Sequence, residues 1–290
     1  MANPREILRR IRSVKNIGQV TRAMEAVSAS RMRRAQQRTT ASREYAGKAR
    51  EVLSFLASQP GAENAHTLLQ ERETVRRVAL ELVTPNRGLA GALISNILRV
   101  AMRFIEQNRD REIVVIAMGR KGRDFMRRYG PRLVAEFTYP GDNPTTAMTT
   151  PMSQLVMDSF LSGEFDAVYL IYAEFVSLLN QRPVVHQLLP MRPEAAENTM
   201  SAEYLIEPDP NSVLEYLLPA LVDMQVYQAV LESQASEHSA RMVAMRAATD
   251  AGKQLVEDLR LTYNKARQTA ITSEILDIAG GAEALAQSGE

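Results

Sequence analysis

Residues 228–270 read QAVLESQASEHSARMVAMRAATDAGKQLVEDLRLTYNKARQTA, and the fold class follows from their periodicity. Apolar or small residues recur there at alternating spacings of three and four, a pattern typical of a coiled-coil helix. Several members are Ala, Gly or Thr, which let a partner helix approach closely but weaken the seam. The seam consists of Leu231, Ala235, His238, Met242, Met245, Thr249, Gly252, Val256, Leu259, Tyr263, Ala266 and Ala270.

The helix that bears this seam is predicted to extend beyond it. After Pro208-Asp209-Pro210 the sequence contains only one further proline, Pro219, so we expect a helix from Asn211 to about Leu285. A helix of that length needs a long partner, because tertiary packing rather than propensity stabilises most helices.

The opening segment predicts that partner. Asn3 suits an N-cap and Pro4 the first helical position, while Glu6 suits a capping box. No break follows before Pro60-Gly61, which predicts a helix of about 54 residues. Its apolar face is predicted from the spacing of Ile7, Ile11, Val14, Ile17, Val20, Met24 and Val27.

The charge distribution favours pairing between the two ends. Residues 1–50 hold 13 Lys/Arg and three acids, a net charge of +10, whereas the whole chain carries only +1. Residues 211–290 hold six basic and 11 acidic residues. A basic first helix and an acidic last helix attract each other, and a domain between them can reverse the chain. We therefore predict an antiparallel coiled coil.

The last helix is predicted to be the longer by about 20 residues, or roughly 30 Å. If the excess lies at its C-terminal end, the apolar residues there have no partner within the chain. An exposed apolar helix of that size risks aggregation unless another protein covers it. The sequence thus predicts a component of a larger assembly, covered at Ile271, Ile275, Leu276, Ile278 and Leu285.

Strand and helix patterns alternate between the two ends. Apolar runs predict strands at 75–83, 113–118, 133–139, 167–172 and 184–189. Helical periodicity predicts helices at 89–107, 125–129 and 152–161, and a polar loop is predicted at 142–146. This order predicts a central open, mostly parallel α/β domain.

The predicted fold class is therefore α/β plus a long coiled coil of antiparallel N- and C-terminal helices. The predicted domains are an N-terminal coiled-coil helix at 1–60, a Rossmann-like α/β domain at 61–208 and a C-terminal coiled-coil helix at 209–290 that pairs with the first.

Composition excludes several classes of protein. The chain has no cysteine, which excludes a disulfide scaffold, thiol catalysis and Cys-ligated zinc. Its 45% hydrophobic and 24% charged residues are ordinary for a folded chain, so disorder throughout is excluded. No apolar run reaches the length of a membrane-spanning helix.

Few motifs indicate chemistry. Gly119-Arg120-Lys121-Gly122-Arg123 follows a strand and opens a helix, where a basic turn can hold phosphate, but it matches neither common nucleotide-binding glycine motif. We interpret it as a solvated turn and keep an enzyme for a phosphate-bearing ligand as an alternative. A structural tether with a self-pairing coil is a second alternative.

Two histidines and one basic run are interpreted structurally. His186 lies in an apolar strand, and His238 occupies a seam position where packing or a hydrogen bond is expected. The run Arg31–Arg38, RMRRAQQR, resembles a basic DNA-binding helix, but such a helix would need to be free of a partner. We therefore expect no nucleic-acid partner.

Three segments together resemble one protein family. They are residues 9–36, RRIRSVKNIGQVTRAMEAVSASRMRRAQ; residues 87–91, RGLAG; and residues 263–285, YNKARQTAITSEILDIAGGAEAL. In order and placement they resemble the gamma subunits of F-type ATP synthases, over essentially the whole chain and with a bacterial length. The family usually has Ser-Asp before the arginine of the second segment and another glycine after it, where this chain has Pro85, Asn86 and Ala92.

The resemblance implies a rotor shaft without catalytic residues, cofactor or metal. In the family the coiled coil threads a ring of catalytic and noncatalytic subunits, beta and alpha, and the α/β domain stands at its base with the epsilon subunit and the membrane c-subunit ring. Ion flow turns the shaft, which changes nucleotide affinity in each catalytic subunit in turn. The implied location is the cytoplasmic face of the bacterial cell membrane, as a peripheral protein that meets the membrane only through the c-ring.

The resemblance also implies which residues meet the catalytic head, although spacing alone favours a solvated helix face for each arginine. The C-terminal apolar residues from Ile271 to Leu285 would enter an apolar bearing. The implied head contacts are Arg9, Arg10, Arg12, Met24, Arg87, Arg267, Gln268, Thr272 and Glu274.

Overall fold

The structure, a computed structural model, describes residues 4–57, 66–192 and 209–287. Long helices lie at both ends of the chain, with an α/β segment between them. The elements are α1 (Pro4–Ala57), a 3-10 turn (Thr67–Leu69), β1 (Arg77–Val83), α2 (Leu93–Gln107), β2 (Glu112–Met118), α3 (Arg120–Tyr129), β3 (Arg132–Phe137), α4 (Thr146–Leu161), β4 (Ala167–Phe175), β5 (Gln181–Leu189) and α5 (Pro210–Gln287).

The five strands form one sheet in the order β3-β2-β1-β4-β5. Strands β1 to β4 pair in parallel, and β5 pairs antiparallel with β4 at one edge. The buried positions of the central strands are mostly apolar because helices cover both faces of the sheet. The predicted mostly parallel sheet is confirmed.

The core has one layer on each side of the sheet. On one side, α4 and the first part of α5 pack on the sheet through residues such as Val156, Phe160 and Val222. On the other side, α2 and α3 contribute Ile97 and Met126. Alternate residues of each strand face the two layers, as the pleat requires.

Packing divides the described residues into two compact units. One lies within Met1–Val27 and Ala244–Glu290, and the other within Ser28–Val243. We call the first the coil unit and the second the sheet unit. The long helices contribute to both, so each unit is described separately.

The helices of the coil unit pair in antiparallel fashion. Ile7 and Ile11 lie in one apolar cluster with Val256, and half-buried residues up to Ala266 complete it. Further along α1, Glu25 forms an ion pair with Arg246 at 2.9 Å. Because residue numbers rise along α1 as they fall along α5, the predicted antiparallel coiled coil is confirmed for this unit.

The predicted seam of α1 is wrong after Val14. Ile17, Val20 and Val27 are 59%, 58% and 50% exposed, whereas Thr21 and Ser28 are buried. Small residues occupy the seam because α5 contributes Thr249 and Gly252 there, and small partners allow a close approach. The periodicity was correct, but hydrophobicity alone selected the neighbouring stripe of the helix.

The predicted seam of α5 is confirmed by burial. Its members are buried or half-buried throughout, from Leu231 at 1% exposure to Ala270. His238 is buried as expected, with Nε2 3.9 Å from the Asp142 carboxylate. His186, by contrast, is exposed, because β5 is an edge strand; its Nε2 lies 3.2 Å from Gln225 Oε1.

Several predicted boundaries were also wrong. Helix α2 begins at Leu93 rather than 89, because Leu89 and Gly91 have φ values of 62° and 55°, which helices do not adopt. Helix α4 begins at Thr146, within the predicted polar loop, and includes Pro151. Helix α3 spans Arg120–Tyr129, which confirms the predicted helix at 125–129 and the prediction that the turn at Gly119 opens a helix.

Candidate functional site

The C-terminal part of α5 leaves the coiled coil, and none of the described residues covers it. The cluster that joins the two helices of the coil unit ends at Ala266. From Arg267 to Gly280, every side chain except that of Ala270 is exposed. The reason is length, because α1 begins at Pro4 while α5 continues to Gln287.

The exposed part of α5 is apolar at the predicted bearing residues. Ile271, Ile275, Leu276 and Ile278 are 48%, 61%, 65% and 73% exposed. Ile271, Ile275 and Ile278 follow a spacing of four and three, so they share one face of the helix. Leu285 lies in the last turns of α5, but its side chain is outside the described residues.

The polar residues of the same motif point into solvent. Arg267, Gln268, Thr272 and Glu274 are all exposed. The Thr272 hydroxyl donates to the Gln268 carbonyl at 3.0 Å, a bond that occupies it within its own helix. Arg267 and Glu274 form no ion pair with any residue that the structure describes, so both charges are available to a partner.

Arg9, Arg10 and Arg12, three of the four arginines near the start of α1, are also exposed. Arg10 forms an ion pair with Glu6 at 3.1 Å, with both side chains more than half exposed. Such a pair contributes little stability, because water screens it. Arg9 and Arg12 have no ion pair within the described ranges. This end of α1 therefore presents cationic groups to solvent.

Met24 belongs to an apolar stripe that the sequence patterns misassigned. Ile17, Val20 and Val27 are exposed and Met24 is half-buried, at spacings of three, four and three. We call these four residues the α1 stripe. The signal that could have separated it from the seam is the parallel series of small residues, Gly18, Thr21 and Ser28, each one position after a residue of the stripe.

A notch lies in the seam where Gly18 and Gly252 both lack side chains. It encloses about 380 Å³. A β-carbon added at Gly18 would meet no heavy atom within 4 Å. The notch is lined by Val14, Lys15, Gly18, Gln19, Arg22, Thr249, Gly252, Lys253, Val256, Glu257 and Arg260. Four cations and one acid thus give it a positive rim.

Arg87 belongs to the sheet unit, whereas the other predicted contact residues belong to the coil unit. It is exposed on the loop between β1 and α2. Neighbouring Asn86 fixes this loop, since its Nδ2 donates to the Tyr139 carbonyl at 3.4 Å and its Oδ1 accepts from Arg120 N at 3.0 Å. The other predicted contact residues are grouped only by the helix, α1 or α5, on which they lie.

The basic turn that opens α3 has no free backbone donor for phosphate. Arg120 N donates to Asn86, Lys121 N to the Pro85 carbonyl, and Gly122 N to Thr84 Oγ1. Arg123 N donates to the Gly119 carbonyl. A helix N-terminus binds anions through such amides, so their use inside the chain argues against the phosphate site.

None of the described helices has the length and apolarity needed to cross a bilayer. Within residues 4–57, 66–192 and 209–287, no group of three or more His, Asp or Glu side chains is arranged to hold a metal ion.

Comparisons with known proteins match nearly the whole chain. A family model described as ATP synthase matches residues 3–285. The ATP synthase gamma chain of Roseiflexus sp. (strain RS-1) is 51% identical over 289 residues, covering 99% of this chain and 100% of that protein. The ATP synthase gamma chain of Dehalococcoides mccartyi (strain CBDB1) is 50% identical over 287 residues, with 99% and 100% coverage.

Solved structures share the fold at lower identity. A chain from the Euglena gracilis mitochondrial ATP synthase, OSCP/F1/c-ring in rotational state 3, aligns with a TM-score of 0.68 and 18% identity, over 99% of this chain and 96% of that chain. A chain from the central stalk/c-ring of the Tetrahymena thermophila mitochondrial ATP synthase aligns with a TM-score of 0.60 and 23% identity, over 79% and 99%.

Proposed function

Since this chain belongs to the ATP synthase gamma-chain family, we propose that it is the central rotor shaft of a bacterial F-type ATP synthase. In this role it couples ion-driven rotation of the membrane c-subunit ring to conformational change in the catalytic head. It contributes no catalytic residue, because nucleotide chemistry belongs to other subunits of the complex.

One observation supports the shaft most directly, the uncovered apolar end of α5. Ile271, Ile275, Leu276 and Ile278 are exposed over a stretch where α1 no longer accompanies α5. Hydrophobic contact has no preferred direction, so an apolar tip can turn inside an apolar sleeve without breaking a fixed set of bonds. We propose that these residues, with Leu285, form the tip that turns in the bearing of the catalytic head.

Polar residues around the tip are proposed to meet the catalytic subunits. Arg267 and Glu274 offer unpaired charges of opposite sign, and Gln268 and Thr272 lie on the same exposed stretch of α5. Arg9, Arg10 and Arg12 add cationic groups on α1, which suit an acidic surface of the head. Charges exposed on a rotating surface steer and orient a partner more than they add affinity.

Met24 is proposed to meet the head through the α1 stripe, which lies beside the Glu25–Arg246 ion pair. Arg87 is proposed to do so from the loop of the sheet unit. Because the apolar α1 stripe differs from the basic rim of the notch, each orientation presents a different surface to a surrounding subunit. That asymmetry is what a shaft needs to change three sites in turn.

The sheet unit is proposed to have different partners from those of the coil unit. Its proposed partners are the epsilon subunit and the c-subunit ring, while the alpha and beta subunits surround the coil. The solved chains of like fold belong to assemblies described as central stalk/c-ring and OSCP/F1/c-ring. The chain would then be a peripheral component of a membrane-associated complex, at the cytoplasmic face of the bacterial cell membrane.

Coexpression with the alpha, beta and epsilon subunits of the same organism tests the proposal. We expect a complex that hydrolyses ATP and contains one copy of this chain, measured by native mass spectrometry. A stable homo-oligomer that excludes those subunits would instead indicate the tether. Tight nucleotide binding by the chain alone, abolished by Lys121→Ala, would indicate an enzyme.

A further inference from the structure

The loop between β3 and α4 bonds to both long helices within the sheet unit. Its residues 140–144 read PGDNP, and we call them the strap. Side chains of α1 bond to the strap from one direction and side chains of α5 from the other. The sequence patterns predicted only a polar loop at 142–146.

On α1, two arginines hold the middle of the strap. Arg38 donates from NH1 to the Asp142 carbonyl and from NH2 to Asn143 Oδ1, both at 2.6 Å. Arg31 Nε lies 3.1 Å from the Asp142 carboxylate. The two arginines are seven residues apart, so they lie on the same face of the helix, two turns from each other.

On α5, two more side chains hold the ends of the strap. Gln234, which is buried, donates from Nε2 to the Gly141 carbonyl at 2.6 Å and to the Pro140 carbonyl at 3.3 Å. The Tyr227 hydroxyl donates to the Pro144 carbonyl at 3.3 Å. These residues are also seven apart, which matches the spacing of the arginines on α1.

The strap belongs to a larger set of directional contacts around one stretch of α5. Every residue from Ala229 to Arg241 is buried, although many are polar. Ser236 Oγ donates to the Ala173 carbonyl at 3.0 Å, and Ser239 Oγ donates to the Leu178 carbonyl at 2.7 Å. Arg241 donates to the Gly88 carbonyl at 3.2 Å. The loops after β1, β3 and β4 therefore all bond to this part of α5.

Such contacts resist motion in a way that apolar packing does not. Hydrophobic contact depends on area, so two helices can slide or roll against each other with little loss. A hydrogen bond depends on distance and angle, and bonds to a charged group are about twice as strong as neutral ones. The strap thus opposes axial sliding and relative rotation of α1 and α5.

We propose that the strap locks the register of α1 and α5, so that torque entering the sheet unit reaches both helices together. This inference rests on the proposed rotor function. Arg31, Arg38, Gln234 and Tyr227 act as positioning residues, because they hold the strap and touch no nucleotide. Without the strap, the register would depend on direct contacts between the helices, such as the ion pair between Arg43 and Glu232 at 3.0 Å, and the helices would shift more easily under load.

The test uses the assembled complex in inverted membrane vesicles with Arg38→Ala. ATP hydrolysis is measured beside ATP-driven charging of the membrane, with a potential-sensitive oxonol dye. We expect charging per ATP hydrolysed to fall clearly while hydrolysis persists. Arg33→Ala is the matched control, since Arg33 is exposed on the same helix and forms no ion pair with the described residues.

A second measurement reports on the strap itself. Hydrogen exchange at residues 141–143 should become about tenfold faster in Arg38→Ala than in Arg33→Ala, because a charge-assisted bond that closed the strap is lost. Arg38→Lys keeps the charge but loses the two-pronged donor geometry, so it should restore charging only in part. If Arg38→Ala lowers the yield of complex, Asn143→Ala, which removes one bond outside the helices, takes its place.

The possible outcomes separate the two proposals. Equal charging per ATP in the wild type, Arg38→Ala and Asn143→Ala would overturn the strap inference and leave the rotor intact. Failure of the wild-type chain to assemble with the alpha and beta subunits would overturn the rotor function itself. Faster exchange at the strap with undiminished charging would reduce the strap to a structural role and overturn its part in torque transfer.

Discussion

The hydroxyl oxygens of Thr21 and Thr249 lie 2.7 Å apart in the buried seam of the coil unit. Each hydroxyl also lies within reach of a carbonyl in its own helix, Gly18 for Thr21 and Met245 for Thr249. The pair occupies a position that a typical coiled coil fills with apolar side chains. A hydrogen bond across the seam favours one register, because sliding by one turn would separate the two hydroxyls.

The threonine pair predicts a non-additive mutational response. Thr249→Val should lower the free energy of unfolding by about 1 kcal/mol, because the cross-seam bond is lost. Thr21→Val with Thr249→Val should cost less than the sum of the two single changes, since both remove the same cross-seam bond, which can be lost only once. Urea unfolding of the single and double variants measures the coupling, and strictly additive effects would contradict it.

Filling the notch should stabilise the coil unit. Gly18→Ala is expected to raise the free energy of unfolding by up to about 1 kcal/mol, because alanine favours the helix and the added carbon meets nothing within 4 Å. Thermal unfolding followed by circular dichroism measures this.

Gly119→Ala is the contrasting variant for that measurement. Gly119 has a φ of 101°, and an added β-carbon would lie 1.8 Å from the Thr84 carbonyl oxygen. This substitution should therefore destabilise the sheet unit. If both alanine variants behave alike, the packing described for the notch is wrong.

Because of Glu81, we predict that the free energy of unfolding falls as pH rises. Its side chain is fully buried on β1, between Ile116 and Leu170 of the neighbouring strands, and neither carboxyl oxygen has a hydrogen-bond partner in the described parts of the chain. Burial raises the pKa of this carboxyl well above its ordinary value of 4.5. Above that value the unfolded chain releases the proton while the folded chain retains it, so stability is lost as pH rises.

Glu81→Leu should remove this dependence. The variant is expected to be more stable than the wild type by about 2 kcal/mol near neutral pH, since a buried polar group without a partner is replaced by an apolar one. The difference should shrink as pH falls through 4.5, because below that value the carboxyl is protonated in both the folded and the unfolded wild type. Urea midpoints across this range test it, and a difference that grows towards acid pH would contradict the assignment.

Because of His238, we predict that the free energy of unfolding falls as pH falls. Burial, and then the nearby Arg241, lower the pKa of His238 from 6.5 to about 4, despite the opposing Asp142 carboxylate. Between these values the unfolded chain binds a proton that the folded chain does not, so stability falls as pH falls from 6.5 towards 4. His238→Gln should lose less stability than the wild type between pH 7 and pH 5. Equal losses in urea unfolding would sink this explanation.

If the end of α5 turns in a bearing, a charge introduced there should affect assembly of the complex and not folding of the chain. Ile278→Asp should change the free energy of unfolding of the chain by no more than about 0.5 kcal/mol, because the side chain is already in solvent. In the assembled complex the same change should lower the yield or the rate of ATP hydrolysis, since it would place a charge in an apolar sleeve.

Thr262→Asp is the control for the bearing, because Thr262 is exposed on α5 before the uncovered stretch begins. It adds the same charge to the same helix. Equal yields and hydrolysis rates for Ile278→Asp and the wild type would show that the tip is not enclosed.

Much of this fold was accessible from local patterns. The two long helices, the parallel sheet and the exposed end of α5 follow from periodicity, breaker residues and length, which depend only on neighbours along the chain. Local patterns did not predict the side on which α1 meets α5. The seam contains Gly18 and Thr21, whereas hydrophobicity selects their neighbours Ile17 and Val20. Which stripe is buried depends on the shape of the opposing helix, and Thr249 and Gly252 accept only small partners there.

Tertiary structure likewise determines the hydrogen-bond partners of the strap and the burial of Glu81. Nothing local in residues 140–144 indicates that Arg31, Arg38, Tyr227 and Gln234 will meet there from positions about a hundred residues distant in either direction. Likewise, the alternation of β1 places Glu81 on one face, but only helices packed on both faces turn it into a buried carboxyl. Sequence periodicity determines which element forms and which residues share a face, whereas burial and hydrogen-bond partners depend on distant elements that periodicity does not encode.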